Sequence, residues 1–244
     1  MTLSLASLNL HCGLDRHGVA YPVKNALAAL DTDVVVVQEN WRTGRAASIA
    51  AAAAADCGYP HVAELDMVTG RSLGELRIAG GAAAGERGAW GLAVLSRVPW
   101  QHCATVPLGT AARDPVGARL AQVVTFPGLR VVNVHLTHRL TRGPSQLRRL
   151  LAALPAPAGP TVIAGDLNMC RPTVLLARPY RPALRGRTWP AHRPVAQIDH
   201  VLLGPGITAV TAAVAPAVGS DHLPVVVTLR AGPAPDPTRQ RRGS

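Results

Sequence analysis

The four consecutive valines Val34–Val37 constrain the fold more than any other feature of this chain. An unalternated β-branched run of that length reads as a short strand buried on both faces, so cover is expected on either side of its sheet. Leu3–Leu8 alternates well enough for a strand, and Val23–Leu30 has helical spacing. Ala46–Ala55 reads as a second helix, stopped by Asp56, Cys57 and Gly58. Ala89–Leu95, Ala118–Thr125 and Leu129–Leu136 read as strands, the last two joined by a hairpin turn at Pro127 and Gly128. Pro144 opens a helix containing Leu147, Leu150 and Leu151, because proline suits a first helical position. Thr161–Ala164, Ile198–Leu203, Ile207–Val214 and Val225–Leu229 complete the strands. Positions 66–88 carry little periodicity and read as a long loop or partly mobile insert, and 171–194, rich in arginine and proline, are expected to be a loop region.

With 244 residues the chain is long enough for one large domain with a substantial core. Residues 1–230 are expected to form it, and the Pro-, Arg- and Gly-rich stretch 231–244 a disordered tail. The cysteines, Cys12, Cys57, Cys103 and Cys170, have no metal-type spacing and read as ordinary buried thiols. Met1–Leu10 lacks a basic leading region, and its apolar run is interrupted by Ser4, Ser7 and Asn9, which makes a poor signal peptide. No apolar run reaches the length of a transmembrane segment, about 18 residues. A monomeric cytoplasmic protein is expected. The net charge of +11 invites a nucleic-acid partner. Yet Lys24 is the only lysine, and arginine in company with abundant Ala, Gly and Pro equally reflects GC-rich coding. Aromatic residues are 3% of the chain, too few for a base-stacking platform. The charge permits nucleic acid without requiring it.

Acidic residues number only 14, and Glu39, Asp166, Asp199 and Asp221 lie at or beside the tip of an expected strand. A carboxylate inside a buried strand would cost several kcal/mol unless paired. Acids fixed at strand tips therefore gather around a cation or a proton-transfer site, and strand tips are rigid mounts for one. Asn9, His135, Asn168 and His222 stand beside these acids. Oxygen-rich groups of this kind suit magnesium, with manganese as a substitute. Zinc would want more histidine or cysteine in close spacing.

Six segments occur in a telling order: Ser7-Leu8-Asn9-Leu10, Gln38-Glu39 after the valines, Asn133-Val134-His135-Leu136, Gly165-Asp166-Leu167-Asn168, Ile198-Asp199-His200-Val201 and Ser220-Asp221-His222-Leu223-Pro224. Together they resemble the endonuclease/exonuclease/phosphatase family across about residues 3–229. The resemblance implies an α/β fold, a four-layer αββα sandwich of two packed mixed β-sheets flanked by helices. It implies a magnesium-dependent hydrolase of a phosphoester substrate, nucleic acid among the options, acting by in-line attack of an activated water. Glu39 matches the family's principal metal-binding glutamate, Asn9 an amide beside metal and phosphate, and Asp221 a second metal ligand. Asp166 matches the aspartate that orients or deprotonates the water, and Asn168 and His135 match contacts to the phosphate. Asp199 and His222 match a paired carboxylate and imidazole, the carboxylate favouring imidazolium.

Plainer alternatives stand beside these roles. Glu39 reads also as a surface acid, Asp221 as a turn cap before Pro224, and His135 as a core histidine. Arg119, at the start of a strand, is either a phosphate contact or an ordinary solvated arginine. His11, His138 and His200 are assigned no catalytic role. His11 stands where abasic-site endonucleases carry an acid, and Trp189-Pro190 lacks their fuller aromatic run, which makes an abasic-site specialist the weaker reading. A non-catalytic scaffold on the same fold is the alternative to an enzyme.

Overall fold

The structure is a computed structural model that describes residues 1–78, 84–154 and 159–232. In chain order its elements are β1 (Thr2–Asn9), α1 (Val23–Leu30), β2 (Val34–Thr43), α2 (Ile49–Ala54), β3 (His61–Ser72), β4 (Arg87–Ser96), β5 (His102–Thr110) and β6 (Ala118–Phe126). They continue with β7 (Leu129–His135), α3 (Arg142–Ala153), β8 (Thr161–Asp166), α4 (Arg171–Val174), β9 (Arg181–Pro182), β10 (Asp199–Leu203), β11 (Ile207–Val214) and β12 (Val225–Ala231).

The strands form two six-stranded mixed sheets, ordered β11-β12-β1-β2-β4-β3 and β5-β6-β7-β8-β10-β9. The valine run explains the layering. Val34 and Val36 face the second sheet and pack with Leu3, Leu5, Val124, Val131 and Val162. Val35 and Val37 face the opposite way, against Ala26 and Leu27 of α1 and Ala50 and Ala53 of α2. Across the molecule, Leu147 and Leu150 of α3 cover Val132, Val134 and Ile163 on the outer face of the second sheet. The result is the four-layer αββα sandwich expected from the resemblance. Among the described residues, no helix is long and apolar enough to cross a membrane.

The interface between the sheets is largely apolar, but polar links cross it: Gln122 Nε2 of β6 donates to the Ala63 carbonyl of β3 at 2.9 Å, and a more central link joins β2 to β7. Gln38 Nε2 donates to Asn133 Oδ1 at 2.8 Å. Asn133 Nδ2 in turn donates to the carbonyls of Val37 and Ala93 on the first sheet, at 3.0 and 2.9 Å. Both side chains are completely buried. Buried amides left without partners would cost about 1–3 kcal/mol each, so the link locks the relative position of β2 and β7.

Several elements differ from the sequence reading. Positions 66–88 are not one loop: 66–72 belong to β3 and 87–88 to β4. β3 escapes a period-2 reading because it is a half-exposed edge strand with bulges at Asp66/Val68 and Thr69/Arg71. β5 is likewise an edge strand, interrupted by Pro107 and a shift in register at Pro107/Gly109. Helix α2 begins later than expected, at Ile49, because Ser48 Oγ caps it by accepting from the Ala51 amide at 3.0 Å. Helix α3 begins two residues before Pro144. Within 171–194 the chain forms α4 and the short β9. Ala231, expected to open a tail, ends β12 and bonds to the Met1 carbonyl. The rest of the expected tail, from position 233, lies outside the described residues.

Gly165 sets the closeness of β7 and β8, the strands that end in His135 and Asp166. Its φ is +142°, and a Cβ there would stand 2.0 Å from the Val134 carbonyl oxygen. Gly165→Ala is therefore expected to destabilise the fold by about 1–3 kcal/mol. A urea titration would show it as a lowered midpoint with an unchanged slope.

Candidate active site

The ends of these strands converge because their registers put them side by side. Asn9 of β1 pairs with Gln38 of β2, next to Glu39. His135 of β7 pairs with Asp166 of β8, and Asp166 pairs with Asp199 of β10. Glu39 itself sits in a bulge, where the β2–β4 register slips between Gln38 and Asn40. Its φ of +52° is left-handed, uncommon for a residue with a side chain, and turns the carboxylate toward the second sheet. His222 comes from the loop before β12. Ser220 anchors that loop: its Oγ donates to the Asn9 carbonyl at 2.6 Å and accepts from the His222 amide at 3.2 Å.

The resulting cleft, of about 510 Å³, is lined by Glu39, His135, Asp166, Asn168, Asp221 and His222 together with Trp90, Arg119 and Trp189. Asn9 Nδ2 donates to Glu39 Oε1 at 3.3 Å and to Asp166 Oδ2 at 3.2 Å, holding one carboxylate from each sheet. Its Oδ1 accepts from the His11 amide at 2.9 Å. His135 Nε2 lies 3.4 Å from Asp166 Oδ2 and 4.0 Å from Glu39 Oε1. His222 Nδ1 faces both oxygens of Asp199, at 3.0 and 3.1 Å, while its Nε2 stands 3.9 Å from Asp166 and from Asp221. The Asn168 amide N–H donates to Asp166 Oδ1 at 2.8 Å, and Asn168 Nδ2 donates to the Leu136 carbonyl at 2.9 Å.

Electrostatics divide these groups. Burial works against a charged His222, but the Asp199 carboxylate, aided by Asp166 and Asp221, outweighs it and pushes the imidazole pKa up to about 10. Burial, reinforced by Asp199, raises the Asp166 carboxyl to about 7. His135 goes the other way. Burial, then the positive charges of Arg119 and His222, hold it well below the usual histidine range, so it is neutral at pH 7. The acids and imidazole of Asp166, Asp199 and His222 lie within 4.8 Å of one another, close enough to share an ion. Two of them, however, are already paired as carboxylate and imidazolium. Glu39 Oε2 and Asp221 Oδ1, by contrast, are buried without a hydrogen-bond partner among the described residues.

Residues 6–222 match the model of the Endonuclease/Exonuclease/phosphatase family. The chain belongs to this family. Members of the endonuclease/exonuclease/phosphatase family are hydrolases of phosphoester bonds, and this chain is one of them. It resembles the endonuclease/exonuclease/phosphatase from Beutenbergia cavernae at 26% identity and a TM-score of 0.73, over 96% of this chain and 72% of that one. The fold is also that of the human Nocturnin catalytic domain, solved with a bound sulfate anion: 15% identity, TM-score 0.65, over 94% of this chain and 93% of that one. D. rerio TDP2, solved with a single-strand DNA product, shares the fold at 18% identity and a TM-score of 0.62, over 94% of this chain and 99% of that one. No curated protein matches the sequence.

All eight residues singled out from the sequence, Asn9, Glu39, His135, Asp166, Asn168, Asp199, Asp221 and His222, meet at this cleft or directly behind it. Arg119 lines the cleft and is not the ordinary solvated arginine that the sequence also allows. It is 3% exposed and paired with buried Asp114. His200 is fully buried, its Nε2 2.9 Å from the Met169 carbonyl. His11 closes one end of the cleft, its ring nitrogens 3.1 Å from the Leu14 carbonyl and 3.3 Å from that of Ile78. Sequence reasoning missed Trp90 and the walls at Leu76–Ile78 and Asp114–Val116. The turn signal in Asp114-Pro115-Val116-Gly117, five residues before Arg119, was the one available hint.

The His222 imidazolium makes a stability prediction. A histidine with a raised pKa contributes stability that is fully present below its unfolded pKa, about 6.5. That contribution is lost as pH rises through the folded value of about 10. The melting temperature of wild type minus that of His222→Gln, measured without divalent cation, is expected to be largest below neutral pH and to shrink toward pH 10. A difference independent of pH would mean that the imidazole is not charged in the folded protein.

Proposed function

We propose that this protein hydrolyses a phosphodiester or phosphomonoester with a divalent cation, by in-line attack of water held at Asp166. The observation that carries this reading is the Asp166 carboxyl standing 3.9 Å from the His222 imidazole, itself paired with Asp199, in one open cleft; burial there raises the Asp166 carboxyl to about 7. A base poised near neutrality suits proton removal from water at pH 7. A buried cation beside it suits the charge that grows on phosphoryl oxygens during transfer.

Each side chain then has a task. Asp166 orients the water and takes its proton. His222, kept charged by Asp199, donates through Nε2 to a phosphoryl oxygen. His135, neutral, donates through Nε2–H, a weaker contribution than that of the charged His222. Asn168 keeps Asp166 Oδ1 in place through its backbone N–H. Glu39 and Asp221, with Asn9 bracing Glu39 against Asp166, would hold the cation. The buried oxygens Glu39 Oε2 and Asp221 Oδ1 lack hydrogen-bond partners among the described residues, with His11 Nδ1 3.5 Å from the latter, and fit such an ion; their hard oxygen character favours magnesium, with manganese in its place. When bound, the ion polarises the phosphoryl group and offsets charge on the leaving oxygen.

A panel of plasmid, oligonucleotide, inositol phosphate and sphingomyelin, each assayed with magnesium and with chelator, tests this reading. Turnover of at least one substrate, abolished by chelator, is expected. Asp166→Asn and His222→Ala are each expected to lower kcat at least about a hundredfold while the circular dichroism stays unchanged. Wild-type rates in either variant would remove these residues from the mechanism, and an inert wild type would favour the scaffold. A nucleic-acid substrate would bind with steep salt dependence, a small phosphoester with little.

A further inference from the structure

The buried ion pair beside the cleft has no task in the mechanism above, although it contacts one of its members. Arg119 Nε and Nη2 both donate to the Asp114 carboxylate, at 3.1–3.2 Å, with the two side chains 4% and 0% exposed. The Asp114 carboxylate also accepts from the Val116 amide at 3.0 Å, which folds the turn carrying Pro115 and Val116 around it. That turn is one wall of the cleft. The remaining guanidinium nitrogen, Nη1, donates to the backbone carbonyl of His135 at 3.3 Å. The guanidinium lies 5.1 Å from the centre of the Trp90 ring, and that ring packs 5.2 Å from the His135 imidazole.

His135 needs such support. A working histidine is usually oriented by a hydrogen bond on its second ring nitrogen. Here Nδ1 of His135 is buried and has no hydrogen-bond partner among the described residues. On the Nδ1 side the strand beneath and the ring beside hold the imidazole, while Nε2 faces Asp166 Oδ2 at 3.4 Å. We propose that Arg119, fixed by Asp114, is a positioning residue: it clamps the His135 backbone and, through Trp90, the plane of the His135 ring, so that Nε2 points into the cleft. The same pair ties the wall at Pro115 and Val116 to that histidine, so wall and imidazole move together. Lysine at 119 could not replace arginine, because one ammonium lacks the planar fork that serves carboxylate, carbonyl and ring at once.

The proposal rests on the hydrolase reading for its effect on rate, but not for its effect on the ring. The decisive variant is the double change Arg119→Met with Asp114→Leu. It removes both charges together, and apolar replacement of a buried pair is commonly neutral or stabilising. Its melting temperature is expected to stay at or above wild type. With bis(p-nitrophenyl) phosphate and magnesium, kcat is expected to fall about 10- to 100-fold, with KM within about twofold. The His135 ring resonance, identified by its loss in His135→Gln, is expected to shift or broaden in the double variant. Should the double variant fail to fold, Arg119→Lys is expected to move the same resonance. A purely structural pair predicts full turnover and an unmoved resonance in the folded double variant. An unmoved resonance overturns the proposal whatever the rate does. A wild type inert toward the ester counts against the hydrolase reading, while the resonance still decides the positioning.

Discussion

Two buried amides carry the geometry of this protein. Gln38 and Asn133 meet in the middle of an apolar interface, where each would be costly without the other. Gln38 is followed by Glu39, and Asn133 stands two residues before His135. A bond between these amides therefore sets, within a few ångströms, how the acid of one sheet faces the imidazole of the other. Hydrophobic packing alone would not do this. Contacts such as Val36 with Val131 are non-directional and would tolerate sliding. The directional bonds of Asn133 to two carbonyls of the first sheet do not.

Above this link the molecule gathers charge where water is scarce. Asp166 and Asp199 are each nearly inaccessible, and no arginine or lysine ion-pairs with either among the described residues. The His222 imidazolium compensates for part of their negative charge, which is why it keeps its proton far above the ordinary histidine range. The Asp166 carboxyl is raised too, by burial and then by Asp199, and so resists ionisation. Glu39 and Asn168, like His11 and Arg77 at the edge of the cleft, hold left-handed backbone conformations. Such strain persists only where the surroundings over-determine it, and here the bulge in β2 and the Asn168–Asp166 bond supply that constraint.

The cleft is deeper than its strand ends alone would make it. Leu73 and Leu76 pack with Trp41 and Trp90 and bring Arg77 and Ile78 to the rim. His11 connects this wall to the exit of β1 through the Ile78 carbonyl. On the far side Trp189 stands at the rim, its indole N–H donating to Asp221 Oδ2 at 3.2 Å. The walls thus grip the same residues that line the floor, so the shape of the cleft and the placement of its acids are mechanically joined.

The order of residues along the chain was enough to determine the strands with strong apolar pattern, the sandwich by resemblance, and the identity of the acids and imidazoles at strand ends. These signals are local: a valine run, an amide or carboxylate where the run stops, a Gly-Asp-Leu-Asn turn. Edge strands β3 and β5 were not legible, because exposure on one side and bulges erase the alternation that marks a strand. Only the tertiary structure decided that Arg119 is buried and paired, that His135, unlike His222, is neutral, and that Gln38 and Asn133 join the sheets. Desolvation and the charges that surround a group set such properties. Those neighbours are remote along the chain, Asn9 lying 157 residues from Asp166, and become neighbours only when the sheets stack.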